Sequence, residues 1–111
     1  MKDDLLYLRH ILEAIATIEK IAAEEPWDIT REWAIERGIA IVGQAARNVS
    51  KEFQKKHADI PWSQIIGTRH RVVYDYFGME YEVIYEIVKE DLPELKRQIS
   101  AILEAEEKRR K

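Results

Sequence analysis

The chain has 111 residues, of which 46% are hydrophobic and 35% charged, and its formal net charge is −3. These values are typical of one folded domain and exclude a disordered tail. The absence of cysteine excludes disulfides and thiolate zinc sites. No apolar run approaches the roughly 18 residues of a membrane span, and the acidic start MKDDLLYLRH is unlike a signal peptide. We therefore expect one domain over residues 1–111, cytoplasmic and without a membrane partner.

The charges are unevenly distributed along the chain. Residues 1–30 carry 3 basic and 7 acidic side chains, and residues 72–111 carry 7 and 10. Residues 31–71 carry 8 basic and 4 acidic side chains, so the middle of the chain is positive. Such a region could attract phosphates, although a solvated helix surface is the simpler interpretation.

The first half of the chain carries two apolar stripes at helical spacing. Apolar residues at steps of three and four predict a helix from about residue 3 to 24. Asp28 is placed to cap a second helix from about 29 to 56. Gly38 and Gly43 lie inside this helix, where each costs about 1 kcal/mol relative to alanine, so we expect close helix–helix approach.

Three more helices are predicted in the second half. One starts near Asp59 and runs to Phe77, a short one covers about 80–90, and the last has Asp91 near its cap. The final residues, EEKRRK, are expected to fray. No segment alternates with the period of a strand. The predicted fold is all-α, an antiparallel bundle of four to five helices.

An arginine interrupts the apolar stripe of the third predicted helix. At 100° per residue Arg69 and Tyr76 lie only about 20° apart, on the face that also carries Trp62 and Val73. A guanidinium is almost never fully buried without a partner. Arg69 therefore needs either a carboxylate inside the bundle or an interface or cleft that keeps it partly hydrated.

Further polar groups lie beside this arginine. His70 and Tyr74 are spaced i and i+4 and share the neighbouring face, and Arg71 lies further round. Arginine can stabilise an oxyanion, a neutral imidazole can take a 2′-hydroxyl proton, and aromatic rings can stack on bases, which suits an RNA phosphodiester. Taken singly, the histidine is more often a surface residue, and Tyr76 a packing residue.

Most of the chain resembles one known family. The run IPWSQIIGTRHRVVYDYFGMEYEVIYEIVKEDLPELKRQI is similar to the HepT-like branch of the HEPN superfamily, small helical proteins that include ribonuclease toxins. The resemblance extends to AIERGIAIVGQAARNVS and DLLYLRHILEAIATIE in the first two predicted helices. The family motif is an arginine, four residues, a histidine, one residue and a tyrosine. Arg69 matches the arginine, His70 the polar position after it, and Tyr76 the tyrosine.

The resemblance implies a homodimer whose two motif helices face one another and build a composite site. It implies a metal-independent endoribonuclease without a cofactor, which acts as the toxin of a toxin–antitoxin pair on an RNA substrate. The implied antitoxin is a minimal nucleotidyltransferase, which in some pairs transfers AMP to the motif tyrosine, here Tyr76. Arg71 and Asp75 are candidates for supporting RNA binding; Asp75 could orient a neighbouring Arg or His, although a solvated side chain is the simpler interpretation.

The chain departs from the motif at the histidine, because position 74 is tyrosine. A phenol has an unperturbed pKa of about 10, against about 6.5 for imidazole, and is a far poorer base at neutral pH. Three interpretations remain open: a weakened or inactive member, a chain in which the histidine was deliberately changed, or a protein in which His70 acts as the base.

Two hypotheses of other classes remain beside the ribonuclease. The chain could be a non-catalytic HEPN scaffold that binds a nucleotidyltransferase partner or a nucleotide. It could also be a helical dimerisation module in which Arg69 pairs with Asp75 or a glutamate. The sequence shows no His, Asp and Glu constellation with the spacing of metal ligands.

Overall fold

The computed structural model describes residues 2–74 and 81–110, and the side chains of residues 3–68 and 81–109. All regular structure in these ranges is helical, which confirms the predicted all-α fold. The α-helices are α1 Lys2–Ala22, α2 Ile29–Asn48, α3 Lys51–Lys56, α4 Trp62–Tyr74, α5 Tyr81–Glu86 and α6 Leu92–Arg110.

Helices α1 and α2 form an antiparallel pair that contributes much of the core. Asp28 caps α2 as predicted, because its side chain accepts a hydrogen bond from the backbone N–H of Arg31 at 2.8 Å. Gly38 lies against Ile18, which confirms the expected close approach at this position. The core is a single cluster whose fully buried members come from most of the helices and the connection before α4: Leu8, Ile11, Ile15, Ile18, Ile35, Ile60, Ile84 and Ile99.

The prediction of one continuous helix over residues 29–56 is wrong. Val49 has an extended backbone, with φ −66° and ψ 137°, and ends α2. Ser50 then caps α3, accepting a hydrogen bond from the backbone N–H of Phe53 at 3.1 Å. The buried carboxylate of Asp4 accepts from the backbone N–H of Ser50 at 2.7 Å and from its hydroxyl at 2.8 Å. This carboxylate favours a cap over a further helical turn, because it satisfies the donors that the break exposes.

Helix α4 begins three residues later than the predicted cap at Asp59. The backbone N–H of Trp62 donates to Ile60, and the carbonyl of Pro61 accepts from Ile65. The predicted end of this helix, Phe77, lies outside the described residues.

The last helix begins at Leu92, directly after the predicted cap residue Asp91, but there is no capped break, because α5, Ile87–Asp91 and α6 follow one another without interruption. Ile87–Asp91 is a π-helical turn, and Leu92 donates its backbone N–H to the carbonyl of Ile87. Pro93 lacks an N–H and its ring crowds the preceding helical turn, and the wider π turn accommodates both effects. Helix α6 continues to Arg110 and so includes most of the tail EEKRRK.

Candidate functional site

The N-terminal half of α4 is anchored in the core. Trp62 is buried, and its indole N–H donates to the carbonyl of His57 at 3.0 Å. Ile65 and Ile66 are half-buried against the core cluster. Packing against the core therefore fixes the position of the N-terminal half of α4, and the C-terminal half extends from this anchored part.

Four of the predicted site residues occupy the last turns of α4. Arg69, His70, Arg71 and Tyr74 all belong to this helix, whose backbone is described through Tyr74. Their side chains lie outside the described part of the chain. The helical period places positions 70 and 74 on one stripe and position 69 beside the stripe of the buried Trp62.

The remaining predicted residues, Asp75 and Tyr76, lie outside the described residues. The contact proposed between Arg69 and Asp75 or a glutamate is likewise undescribed. The assignments of Arg69, His70 and Tyr74 to catalysis and of Tyr76 to AMP transfer therefore stay predictions.

Helix α4 runs back along α2 in the opposite direction. The short segment α3 joins the end of α2 to the start of α4, and Ile39 and Val42 line the same cavity as Ile65. The C-terminal end of α4 consequently lies near the first turns of α2, at one end of the bundle.

That cavity, between α4 and the start of α6, has an acidic rim. Its volume is about 310 Å³ and its floor is made of buried isoleucine, valine and leucine side chains. Carboxylates surround its mouth: Asp59, Glu90, Asp91 and Glu94. Partial burial, followed by the charges of Glu86 and Glu90, raises the pKa of Asp91 above its usual range. This side of α4 repels a phosphate backbone.

This acidic cavity was not expected from the sequence, which indicated only helix-capping roles for Asp59 and Asp91. In the structure Glu90 and Asp91 lie in the π turn and line the cavity together with Asp59 and Thr68.

The exposed apolar residues at the start of α2 are a second feature that the sequence analysis missed. Trp33 is 67% and Ile29 61% exposed, one helical turn apart on the same face. Large exposed apolar side chains this close together are typical of an interaction surface. They lie at the end of the bundle where α4 ends.

The part of the chain that the structure describes contains neither a metal-binding cluster nor a membrane-spanning helix. The described side chains, those of residues 3–68 and 81–109, include no group of three His, Asp or Glu placed to hold a metal ion. Within residues 2–74 and 81–110, no helix is both long and apolar enough to cross a membrane.

Comparison with known proteins identifies relatives along nearly the whole chain. The family model described as "Ribonuclease HepT-like" matches residues 8–102. A protein of Caldanaerobacter subterraneus subsp. tengcongensis named as a candidate RNase is 36% identical over 111 residues, covering 96% of this chain and 99% of the relative.

Two archaeal proteins are also similar. A Thermococcus cleftensis protein named "probable ribonuclease HepT" is 35% identical over 95 residues, which is 81% of this chain and 86% of the relative. A Methanocaldococcus jannaschii protein named as a gamma-glutamylcyclotransferase and candidate RNase is 37% identical over 108 residues, or 93% of this chain but 49% of that protein. No solved structure gives a significant match. The extent of the family match over this helical fold shows that the chain belongs to the HepT-like ribonuclease family.

Proposed function

We propose that this protein is a metal-independent endoribonuclease that acts as the toxin of a toxin–antitoxin pair in the cytoplasm. The observation that carries the proposal is the match to the HepT-like ribonuclease family over residues 8–102, which includes the part of α4 that bears Arg69 and His70.

The chemistry is a transesterification. The 2′-oxygen of a ribose attacks the neighbouring phosphorus and the bond to the 5′-oxygen breaks, leaving a 2′,3′-cyclic phosphate and a 5′-hydroxyl. A base takes the 2′-hydroxyl proton, and an acid protonates the 5′-oxygen. Arg69 stabilises the negative charge that grows on the phosphoryl oxygens. With Tyr74 at the position of the family histidine, we expect this reaction to be slow.

A homodimer completes the proposed site. Arg69 and the residue at position 74 of both protomers line one cleft where the two copies of α4 face each other. The exposed Trp33 and Ile29 support this proposal, because they form an apolar surface at the same end of the bundle, where a second protomer would bury them.

Regulation by a minimal nucleotidyltransferase antitoxin is part of the same proposal. The antitoxin transfers AMP from ATP to Tyr76: the phenolic oxygen attacks the α-phosphorus, the bond to the β-phosphate breaks, and pyrophosphate and the phenolic proton leave. The bulky, charged adduct then blocks the cleft. The resemblance of residues 60–99 to the HepT-like branch is the support for this step.

The test is an RNA cleavage assay in the presence of EDTA. The variants are Tyr74→His, the double variant Tyr74→His/Arg69→Ala, and His70→Ala, with the exposed Arg9→Ala as a matched arginine control. We expect Tyr74→His to accelerate cleavage by roughly 10²–10⁴-fold, the range of general acid–base catalysis. Additional loss of Arg69 abolishes the gain, and Arg9→Ala does not change it.

The second candidate function is a non-catalytic scaffold that binds a nucleotidyltransferase or a nucleotide, and the tyrosine at position 74 favours it. A folded, dimeric Tyr74→His form that leaves every RNA intact contradicts the ribonuclease and supports the scaffold.

A further inference from the structure

A basic groove lies next to the acidic cavity at the start of α4, and Pro61 and Gln64 line both. The groove lies between α3 and the first turn of α4 and has a volume of about 510 Å³. Lys51 and Lys55 stand one helical turn apart on α3 and line the groove together with polar residues: Gln54, Ser63 and Gln64. Both lysines are exposed.

The two lysines have no ion-pair partner among the described residues. Cations on other helices do have partners: Arg31 of α2 pairs with Glu24, Lys89 of the π turn with Glu25, and Lys96 of α6 with Glu19. Among the side chains that line the groove there is no carboxylate. The groove therefore offers positive charge that the fold itself does not use, and an anionic ligand is the chemistry that fits it.

A continuous surface joins this groove to the motif positions. On the helical period of α4, positions 63, 67, 70 and 74 follow one another along a single stripe. Ser63 lines the groove and begins this stripe, and it is separated from position 70 by about 10 Å along the helix axis, from the rise per residue, which is the span of a nucleotide or two.

Gly67 leaves the middle of this stripe open. A Cβ atom built on Gly67 meets nothing within 4 Å, so no neighbouring helix requires a glycine there. Gly38 differs, because Ile18 fills the space beside it. Glycine destabilises the interior of a helix relative to alanine. An exposed glycine without an internal packing role therefore marks a place where an external backbone can approach closely.

We propose that the groove lined by Lys51 and Lys55 binds the phosphate backbone of the RNA strand on one side of the scissile bond. The strand runs from this groove across Gly67 to the motif positions of α4. This inference rests on the proposed ribonuclease function, which it extends by a substrate subsite outside the motif. An acidic protein surface is the competing occupant of such a groove, and the experiment below separates the two.

The experiment measures binding without cleavage. A fluorescently labelled oligonucleotide with 2′-O-methyl groups throughout cannot undergo transesterification, so anisotropy reports affinity alone. The test variant is Lys51→Ala/Lys55→Ala. The matched control is Lys20→Ala/Lys108→Ala, which removes the same charge from exposed positions on α1 and α6. Circular dichroism verifies the fold of each variant.

We expect the test variant to bind at least about tenfold more weakly at low salt. The slope of log affinity against log salt should fall by about 1.4, because each phosphate that a lysine neutralises on a single strand contributes about 0.7 to the slope. The control should keep the slope of the unmodified protein. If the test variant keeps both the affinity for the oligonucleotide and the salt slope of the unmodified protein, the groove is not an RNA site. The same conclusion follows if the unmodified protein does not bind RNA at all. An acidic protein ligand then remains the alternative.

If the groove does not bind RNA, the results differ from those expected if the protein is not a ribonuclease. If Tyr74→His cleaves RNA and Lys51→Ala/Lys55→Ala in that background leaves KM unchanged, the groove is wrong and the enzyme stands. If no form cleaves RNA while the lysine dependence of binding persists, the groove stands and the ribonuclease is wrong.

Discussion

Gly38 of α2 and Ile18 of α1 approach each other so closely that no methyl group fits between them. A Cβ atom built on Gly38 would lie 2.5 Å from Cγ1 and 2.9 Å from Cδ1 of Ile18, which is itself fully buried. We expect Gly38→Ala to destabilise the protein by about 1–3 kcal/mol, since overpacking forces shifts in side chains that cannot leave the core. Urea unfolding measures the effect, and an unchanged or higher midpoint contradicts it.

For Gly67 of α4 we expect the same substitution, glycine to alanine, to increase the stability of the protein. It is exposed, with no atom within 4 Å of a built Cβ. Gly67→Ala should raise the free energy of unfolding by about 0.5–1 kcal/mol, the difference in helix propensity. The same urea titration gives the value. Destabilisation would indicate a packing role within this chain that the structure does not contain.

The buried carboxylate of Asp4 holds the break between α2 and α3. It accepts two hydrogen bonds from Ser50, at 2.7 and 2.8 Å, across 46 residues of sequence. Asp4→Ala leaves these donors without their partner, and we expect a loss of about 1.5–3 kcal/mol in unfolding free energy. The exposed Asp3→Ala is the control and should lose much less. Similar losses in both variants would show that the charge, and not the hydrogen bonding, matters.

Asp4 also shows where sequence reasoning succeeds and where it stops. The period of the apolar residues predicted helices and the core face of α1 correctly, because burial of that stripe dominates the energy of the fold. It could not separate α2 from α3, since the break depends on a hydrogen bond between residues 4 and 50 that no local pattern contains.

The site residues divide in the same way. Arg69 was singled out because it interrupts an apolar helical stripe and matches a family motif, and His70 because it lies beside Arg69; their roles stay predictions. Lys51, Lys55 and Trp33 were not singled out from the sequence, since the interest of these positions follows from which helix packs beside which. The π turn before Pro93 likewise follows from packing that accommodates a proline inside a helix.

Asp91 makes a contribution to stability that depends on pH. Its folded-state pKa is raised above the ordinary 3.8 by partial burial and then by Glu86 and Glu90. The native state therefore binds this proton more tightly than the unfolded chain, so stability falls as pH rises from 3.8 through the folded pKa. Asp91→Asn should remove this loss of stability and so stabilise the protein at pH 7. We expect the gain to be less than about 1 kcal/mol, because water partly screens the Asp91 carboxylate.

The measurement for Asp91→Asn is urea unfolding at pH 3.5 and pH 7 beside the unmodified protein. Glu104→Gln, on the exposed part of α6 and remote from Glu86 and Glu90, is the control for removing one charge. A gain at pH 7 that exceeds the gain at pH 3.5, in Asp91→Asn only, agrees with the expectation. A larger stability gain for Asp91→Asn at pH 3.5 than at pH 7 would contradict the expected direction of the pH dependence.

Trp33 tests the proposed dimer. Its side chain is 67% exposed, so a charged replacement does not disturb the core of one protomer. If Trp33 lies in the interface beside the ends of the two α4 helices, Trp33→Asp buries an unpaired carboxylate there and shifts the protein towards monomer. Sedimentation velocity at several concentrations should show the dimer constant weakened by at least about 100-fold, near 3 kcal/mol.

Ile41→Asp is the matched control for this experiment. Ile41 lies on the same helix as Trp33 and is 41% exposed, but it faces the groove between α1 and α2 instead of the end where α4 terminates. We expect Ile41→Asp to remain dimeric. A dimer that survives Trp33→Asp and dissociates in Ile41→Asp would move the interface to the α1–α2 face. The composite site would then lose its structural basis, because the two copies of α4 would no longer face each other.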